Sequence, residues 1–330
     1  MGSEQLLLIF AILFAYIYAF IGGFTDAANA IATSIGSRAL TPISAVLMAG
    51  VLEIGGALTG TAVALTIGKG IVSLEMISIS TVLAALVATM SWSLLTYYIG
   101  IPVSETHGLI GGIMGAATAV AGLDVVIWAG IAKVCLAIII SPLLGFMGGA
   151  ILMKIIYHSF RSQPPRRMAI LFKNLQRVSA AFMAFSHGRN DAQKPMGILV
   201  MLLAIHYGWK DTNVPIWVIL SVGLTAGIGV GLGGWRIIKT LGMRIAPLRT
   251  EQGFASEAAA SSVLQLASFL GIPVSTTHTI TSSIVGAGVA RRFSSVRWGI
   301  VMDIWISWIL TLPATVFFGW FFAKIFDFIL

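Results

Sequence analysis

The sequence predicts an all-α polytopic membrane protein, built as two inverted-topology repeats with broken or re-entrant helices around a mid-membrane site. Three observations lead there. The chain is too apolar for a soluble core. A polar motif occurs twice, half a chain apart. Matching loops in the two halves carry opposite charge bias.

Of 330 residues, 58% are hydrophobic and 10% charged, and the mean hydropathy is +0.96. Soluble domains run at about 45–50% apolar and about 25% charged. A bilayer absorbs such a surface, at roughly 20 apolar residues per helical span. The net charge of +8 then fits basic cytoplasmic loops rather than nucleic acid. The single cysteine, Cys135, excludes an intramolecular disulfide and a multi-cysteine metal site. Met1 to Gln5 carries Glu4 and no basic residue, so it lacks a signal peptide's basic start, and residues 6–21 read as a retained helix.

The repeated motif is Ile-Pro-Val-Ser-Glu-Thr-His at 101–107 and Ile-Pro-Val-Ser-Thr-Thr-His at 272–278. Upstream stand Gly23-Phe24-Thr25-Asp26-Ala27 and Gly188-Arg189-Asn190-Asp191-Ala192. The two offsets, 171 and 165 residues, mark duplication of about half the chain, the pattern of a transporter's two halves. The repeats are set at 1–157 and 178–330, joined by a basic linker, 158–177.

In order, a first element over 5–35 is interrupted near Gly22-Gly23. Spans follow at 42–66 and 76–99. The first Pro-Val-Ser motif and a small-residue run lead to 121, then a span at 125–156. After the linker come spans at 178–206 and 215–235, a basic loop 236–249, a span at 254–270, the second motif, and a last span at 298–326. Arg291, Arg292 and Arg297 follow the second motif, whereas its counterpart loop, 121–126, holds only Asp124. Equivalent loops of opposite bias face opposite sides, which is inversion; Lys69 is the exception. The basic loops are placed in the cytoplasm and both termini outside, in the plasma (inner) membrane.

Carboxylates inside a bilayer are costly and face a partner or a wet cavity. Asp26 and Asp191, with Asn29 and Asn190, offer hard oxygen ligands for a small hard cation. The competing reading is a structural pair of Asp191 with Arg189 or Lys194. Glu53 and Glu257, also in apolar runs, are further coupling-ion or gating candidates. Each Pro-Val-Ser motif can end one helix and begin another, aiming free N–H groups and a positive dipole end into the membrane. Ser104, Thr106, Ser275, Thr276 and Thr277 add hydroxyls, and His107 and His278 occupy equivalent positions. Two such helix starts from opposite sides suit a tetrahedral oxyanion. Glu105 stands opposite Thr276, so the copies need not contribute alike.

These motifs together, from about residue 22 to 290, resemble the inorganic phosphate transporter (PiT) family. The resemblance implies symport of inorganic phosphate with sodium, or with protons in some members. It places the family's signature Asp residues on Asp26 and Asp191, its Asn on Asn29 and Asn190, and its membrane glutamates on Glu53 and Glu257. Thr25 and Pro195 depart from the usual motif, and the large central loop of animal members is absent. The expected phosphate ligands are Ser104, Thr106, His107, Gln193, Ser275, Thr276 and Thr277. Sodium is expected at Asp26, Asn29, Asn190, Asp191, Glu53 and Glu257, with no other cofactor and no transition metal. Exposed helix faces meet lipid or a second protomer, leaving a homodimer open. Sulfate or metal–phosphate transport is the close rival. An intramembrane hydrolase built from Ser, His and Asp is the reading of another class, and the symmetric duplication of the motifs speaks against it.

Overall fold

Long apolar runs set the architecture. The computed structural model describes residues 2–208 and 213–329, without the side chain of Ser3. The first half contains α1 (Ser3–Gly36), α2 (Pro42–Ala57), α3 (Ala62–Gly70), α4 (Ile79–Ile99), α5 (Glu105–Ala121) and α6 (Trp128–Phe160). The second contains α7 (Pro165–Asp191), α8 (Gln193–Tyr207), α9 (Ile216–Leu232), α10 (Trp235–Lys239), α11 (Thr250–Phe269), α12 (Thr276–Arg291) and α13 (Trp298–Ile329). No strand occurs among the described residues. Helices α1, α4, α6 and α13 are each long and apolar enough to span a bilayer; two bent pairs bring the number to as many as six.

Several helix breaks lie where the sequence reading did not put them. Helix α1 runs unbroken through Gly22-Gly23. Gly23 is there for packing: a Cβ would collide with the backbone carbonyl of Ala226 on α9. The 42–66 span bends instead by 69° between α2 and α3, and α9 and α10 meet at 57°. The expected 236–249 loop starts as α10 and a π-helical turn, Thr240–Arg244. The expected 158–177 linker is mostly helix, with the break confined to 161–164. Pro164 and Pro165 allow α7 to begin there, since proline fits a first turn.

The Pro-Val-Ser segments do break the chain. Gly100 (φ +82°) and Gly271 (φ +65°) turn the backbone into the left-handed region, where a side chain would be strained. Extended chain follows, and Ser104 and Ser275 then cap α5 and α12. Their hydroxyls accept from His107 N at 3.2 Å and His278 N at 3.1 Å.

The packing is reciprocal. Helix α5 lies against α4 and α13, and α12 against α11 and α6. Helix α1 packs on α9 and α4, and α7 on α2 and α11. Each half thus completes the other. Helices α5 and α12 approach their partners at backbone contact. Gly115 of α5 faces the Val316 carbonyl, and Gly145 of α6 faces that of Thr279. Small residues permit such approach where no hydrophobic force separates helix from lipid.

Candidate functional site

The first turn of α12 projects between α1 and the end of α7. Asn29 Nδ2 donates to Thr276 Oγ1 at 3.2 Å and Thr277 Oγ1 at 2.9 Å. Thr276 Oγ1 donates to Asp191 Oδ2 at 3.0 Å, and Thr277 Oγ1 to Asp26 Oδ1 at 3.4 Å. With its amide oriented to satisfy both ends, Asn190 donates to Asp191 Oδ1 at 3.2 Å and accepts from Ser268 Oγ at 3.0 Å. Five predicted residues from both halves, Asp26, Asn29, Asp191, Thr276 and Thr277, therefore share one buried network, and Asn190 flanks it.

Asp191 Oδ2 also meets Lys194 Nζ at 3.0 Å and His187 Nε2 at 3.2 Å. The far side of that ring, His187 Nδ1, lies 2.8 Å from Glu53 Oε2. Of the two basic neighbours weighed for Asp191, Lys194 pairs with it. Arg189 turns away, donating to Gln265 Oε1 at 2.6 Å.

A small cavity of about 20 Å³, room for little more than one water, opens on this network, lined by Tyr18, Asp26, Glu53, Glu105, Asp191 and Lys194 among others. Three buried acceptors here have no hydrogen-bond partner: Asp26 Oδ2, Asn29 Oδ1 and Glu53 Oε1. Orphaned buried polar atoms are rare and costly. Three of them, all oxygens, are what a hard cation would satisfy. Asp26, His187 and Asp191 each offer a ligand atom within 4.8 Å of the others.

Glu257 lies apart. Asp26 and Thr33 are seven residues apart on α1, about 10 Å along the axis. Glu257 Oε1 accepts from Thr33 Oγ1 at 2.6 Å and from Gln176 Nε2 at 3.2 Å, and its Oε2 accepts from Ser179 Oγ. Ser37 Oγ extends the cluster to Gln176 Oε1 at 2.6 Å.

The remaining predicted ligands are held elsewhere. Gln193 Oε1 accepts from Val63 N at 2.7 Å and Ala64 N at 3.1 Å, capping α3, and its Nε2 donates to Arg189 O at 2.5 Å. Thr106 Oγ1 donates to Val274 O at 3.0 Å, tying the two motifs together. His107 and His278 pack edge to face at 4.6 Å, and His278 stacks on Trp308 at 3.7 Å. The copies indeed contribute differently: the second supplies Thr276 and Thr277 to the network, the first supplies Glu105 to the cavity.

Glu105 and His187 line this network without having been expected as ligands, and Lys194 was expected only as a structural partner of Asp191. Glu105 accepts from Thr25 Oγ1 at 3.0 Å and Ser93 Oγ at 2.8 Å. This gives the unusual Thr25 a partner. His187 and Lys194 stand four before and three after Asp191, the helical spacing that shares its face, and that was the available signal.

Helices broken at polar motifs, reciprocal halves and a small, charged cavity with orphaned oxygens define a membrane transporter. The triad reading fails: Ser104 and Ser275 are capping hydroxyls, and neither ring nitrogen of His278 has a partner. A phosphate transporter family model matches residues 22–319, and the chain belongs to that family. It is a transporter and not an enzyme. It is 40% identical over 318 residues to the "Probable low-affinity inorganic phosphate transporter" of Bacillus subtilis (strain 168), covering 95% of each chain. It is 41% identical to the protein of that name from Rhizobium meliloti (strain 1021), over 93% of each. A solved structure, "The sodium-dependent phosphate transporter", superposes with a TM-score of 0.90 at 28% identity, covering 98% of this chain and all of that one.

Proposed function

We propose that the protein carries inorganic phosphate into the cell with sodium by alternating access. The observation that carries this reading is the set of orphaned acceptors, Asp26 Oδ2, Asn29 Oδ1 and Glu53 Oε1, beside the first turn of α12. Phosphate would bind at the helix starts of α5 and α12, where unpaired N–H groups and dipole ends favour an anion. Thr276 and Thr277 would turn their hydroxyls toward it. The same cavity is lined by four carboxylates, Asp26, Glu53, Glu105 and Asp191. A dianion cannot enter beside them unless cations do, and that requirement couples the fluxes. Sodium at Asp26, Asn29, Asn190 and Asp191 meets it with oxygen ligands. Glu257, ringed by Thr33, Gln176 and Ser179, is a second cation position along α1. The sodium dependence of the solved relative supports sodium over protons.

The reciprocal packing supports two inverted repeats, 1–157 and 178–330, rocking about this centre in the plasma membrane. The test is radiolabelled phosphate uptake into proteoliposomes under an inward sodium or proton gradient, with Asp26→Asn and Asp191→Asn alongside. Sodium-driven uptake abolished in both variants is the expected result. Uptake driven by protons alone overturns the cation, and no accumulation under either gradient from folded protein overturns the symport.

A further inference from the structure

An apolar groove of about 600 Å³ runs between α6, α12 and α13, on the side of α12 away from Asp191. Its rims are open: Ile139 is 67% exposed, Leu143 53% and Ile309 74%. Its floor holds His278, 2% exposed, with both ring nitrogens lacking a hydrogen-bond partner. Trp305 and Trp308 line it beside the histidine, and Trp298 lines it where α13 begins.

Length and charge identify the occupant. Along α13 the groove spans Trp298 to Ile309, eleven residues or about 16 Å of helix. That is roughly half of a 30 Å hydrocarbon core, the depth of one leaflet. The Trp298 end adjoins the loop bearing Arg291, Arg292 and Arg297. Arg291 and Arg292 are exposed, whereas Arg297 is turned onto the carbonyls of Met243 and Arg244 at 3.5 and 3.4 Å. An anionic headgroup at the arginines would place one acyl chain in the groove, its end near His278. No charged side chain lines the groove to oppose it.

We infer that this groove is a site for a single anionic phospholipid, headgroup at Arg291 and Arg292 and one acyl chain against Trp305, Trp308 and His278. The lipid then lies behind the helix whose first turn holds Thr276 and Thr277, so its chain bears on that helix from outside. The inference stands independently of the transported ion.

The test is tryptophan fluorescence of the full chain in bilayers of phosphatidylcholine doped with phosphatidylglycerol, one of the two carrying mid-chain bromines. Brominated phosphatidylglycerol should quench more than equally brominated phosphatidylcholine at the same mole fraction. The excess should shrink in Trp305→Phe and disappear when Trp298, Trp305 and Trp308 are all replaced by Phe, which removes every reporter lining the groove. In Arg291→Gln and Arg292→Gln, both exposed positions, the anionic preference should fall by about fivefold per arginine, the affinity one basic residue gains near an anionic surface. Equal quenching by both lipids would mean ordinary bulk contact and overturn the site. So would an undiminished preference in the arginine variants. Efficient cross-linking of Ile309→Cys between copies, in a Cys135→Ala background, would show that a second protomer fills the groove and overturn it too.

Discussion

Lys194 Nζ lies 3.0 Å from Asp191 Oδ2, the oxygen that also accepts from Thr276. A tethered ammonium thus occupies part of the carboxylate that the proposed mechanism assigns to sodium. The protein carries its own replacement cation, which keeps Asp191 paired when no sodium is bound.

That arrangement makes Lys194→Met informative. Removing one member of a buried pair typically costs about 3–5 kcal/mol. The variant should lose that much in sodium-free buffer and regain part of it when sodium is added. Thermal unfolding in detergent, with and without sodium, reads this as a larger sodium-induced rise in Tm for the variant than for the parent. An equal rise in both would show that lysine and sodium do not compete.

His187 bridges Glu53 and Asp191, with contacts of 2.8 and 3.2 Å. Glu53→Gln and His187→Gln should each destabilise and each suppress uptake. The double variant should fall short of the sum by at least about 1 kcal/mol, as contacting residues do in a mutant cycle. Additive losses in denaturant unfolding would show the two acting separately.

Gly188 tests position without chemistry. A Cβ there would strike the backbone of Glu53, and overpacking of this kind costs about 1–3 kcal/mol. Gly188→Ala should push α2 from α7, part Glu53 from His187, and reduce phosphate uptake at least tenfold without altering a polar atom. Parental uptake from this variant would mean the Glu53–His187 contact is dispensable.

Thr25→Val removes one of the two hydroxyls that donate to Glu105 and keeps the shape. A buried charged acceptor left short of a donor should cost about 1–3 kcal/mol. Thr25→Ser should restore most of it. Failure of serine to rescue would assign the loss to packing instead of the hydrogen bond.

Much of this was legible beforehand. Composition identified the membrane class, and the duplicated Pro-Val-Ser motif located α5, α12 and their serine caps. Asp26, Asn29, Asp191, Thr276 and Thr277 come from three motif segments, one in the first half and two in the second, and the fold joins them. What was not legible depended on tertiary approach. Gly22-Gly23 reads as a break, yet a helix tolerates glycine when a neighbour presses on it, and Ala226 does. Gln193 looked like a ligand because it neighbours Asp191, but the start of α3 at Val63 and Ala64, distant in sequence, needed its oxygen. Glu105 seemed only a mismatch between repeats until α1 and α4 brought Thr25 and Ser93 to it.

The pairing of α5 with α13 has a consequence for biogenesis. Helix α5 ends at Ala121, and its partner begins at Trp298. About 180 residues must be synthesised in between, which at 5–20 residues per second occupies roughly 10–35 s. Through that interval the face of α5 at Gly111 and Gly115, which α13 later covers at Leu312, Thr315 and Val316, has no partner. The nascent first half must be sheltered by the insertion machinery, or wait half-inserted, until the final helix arrives to close it.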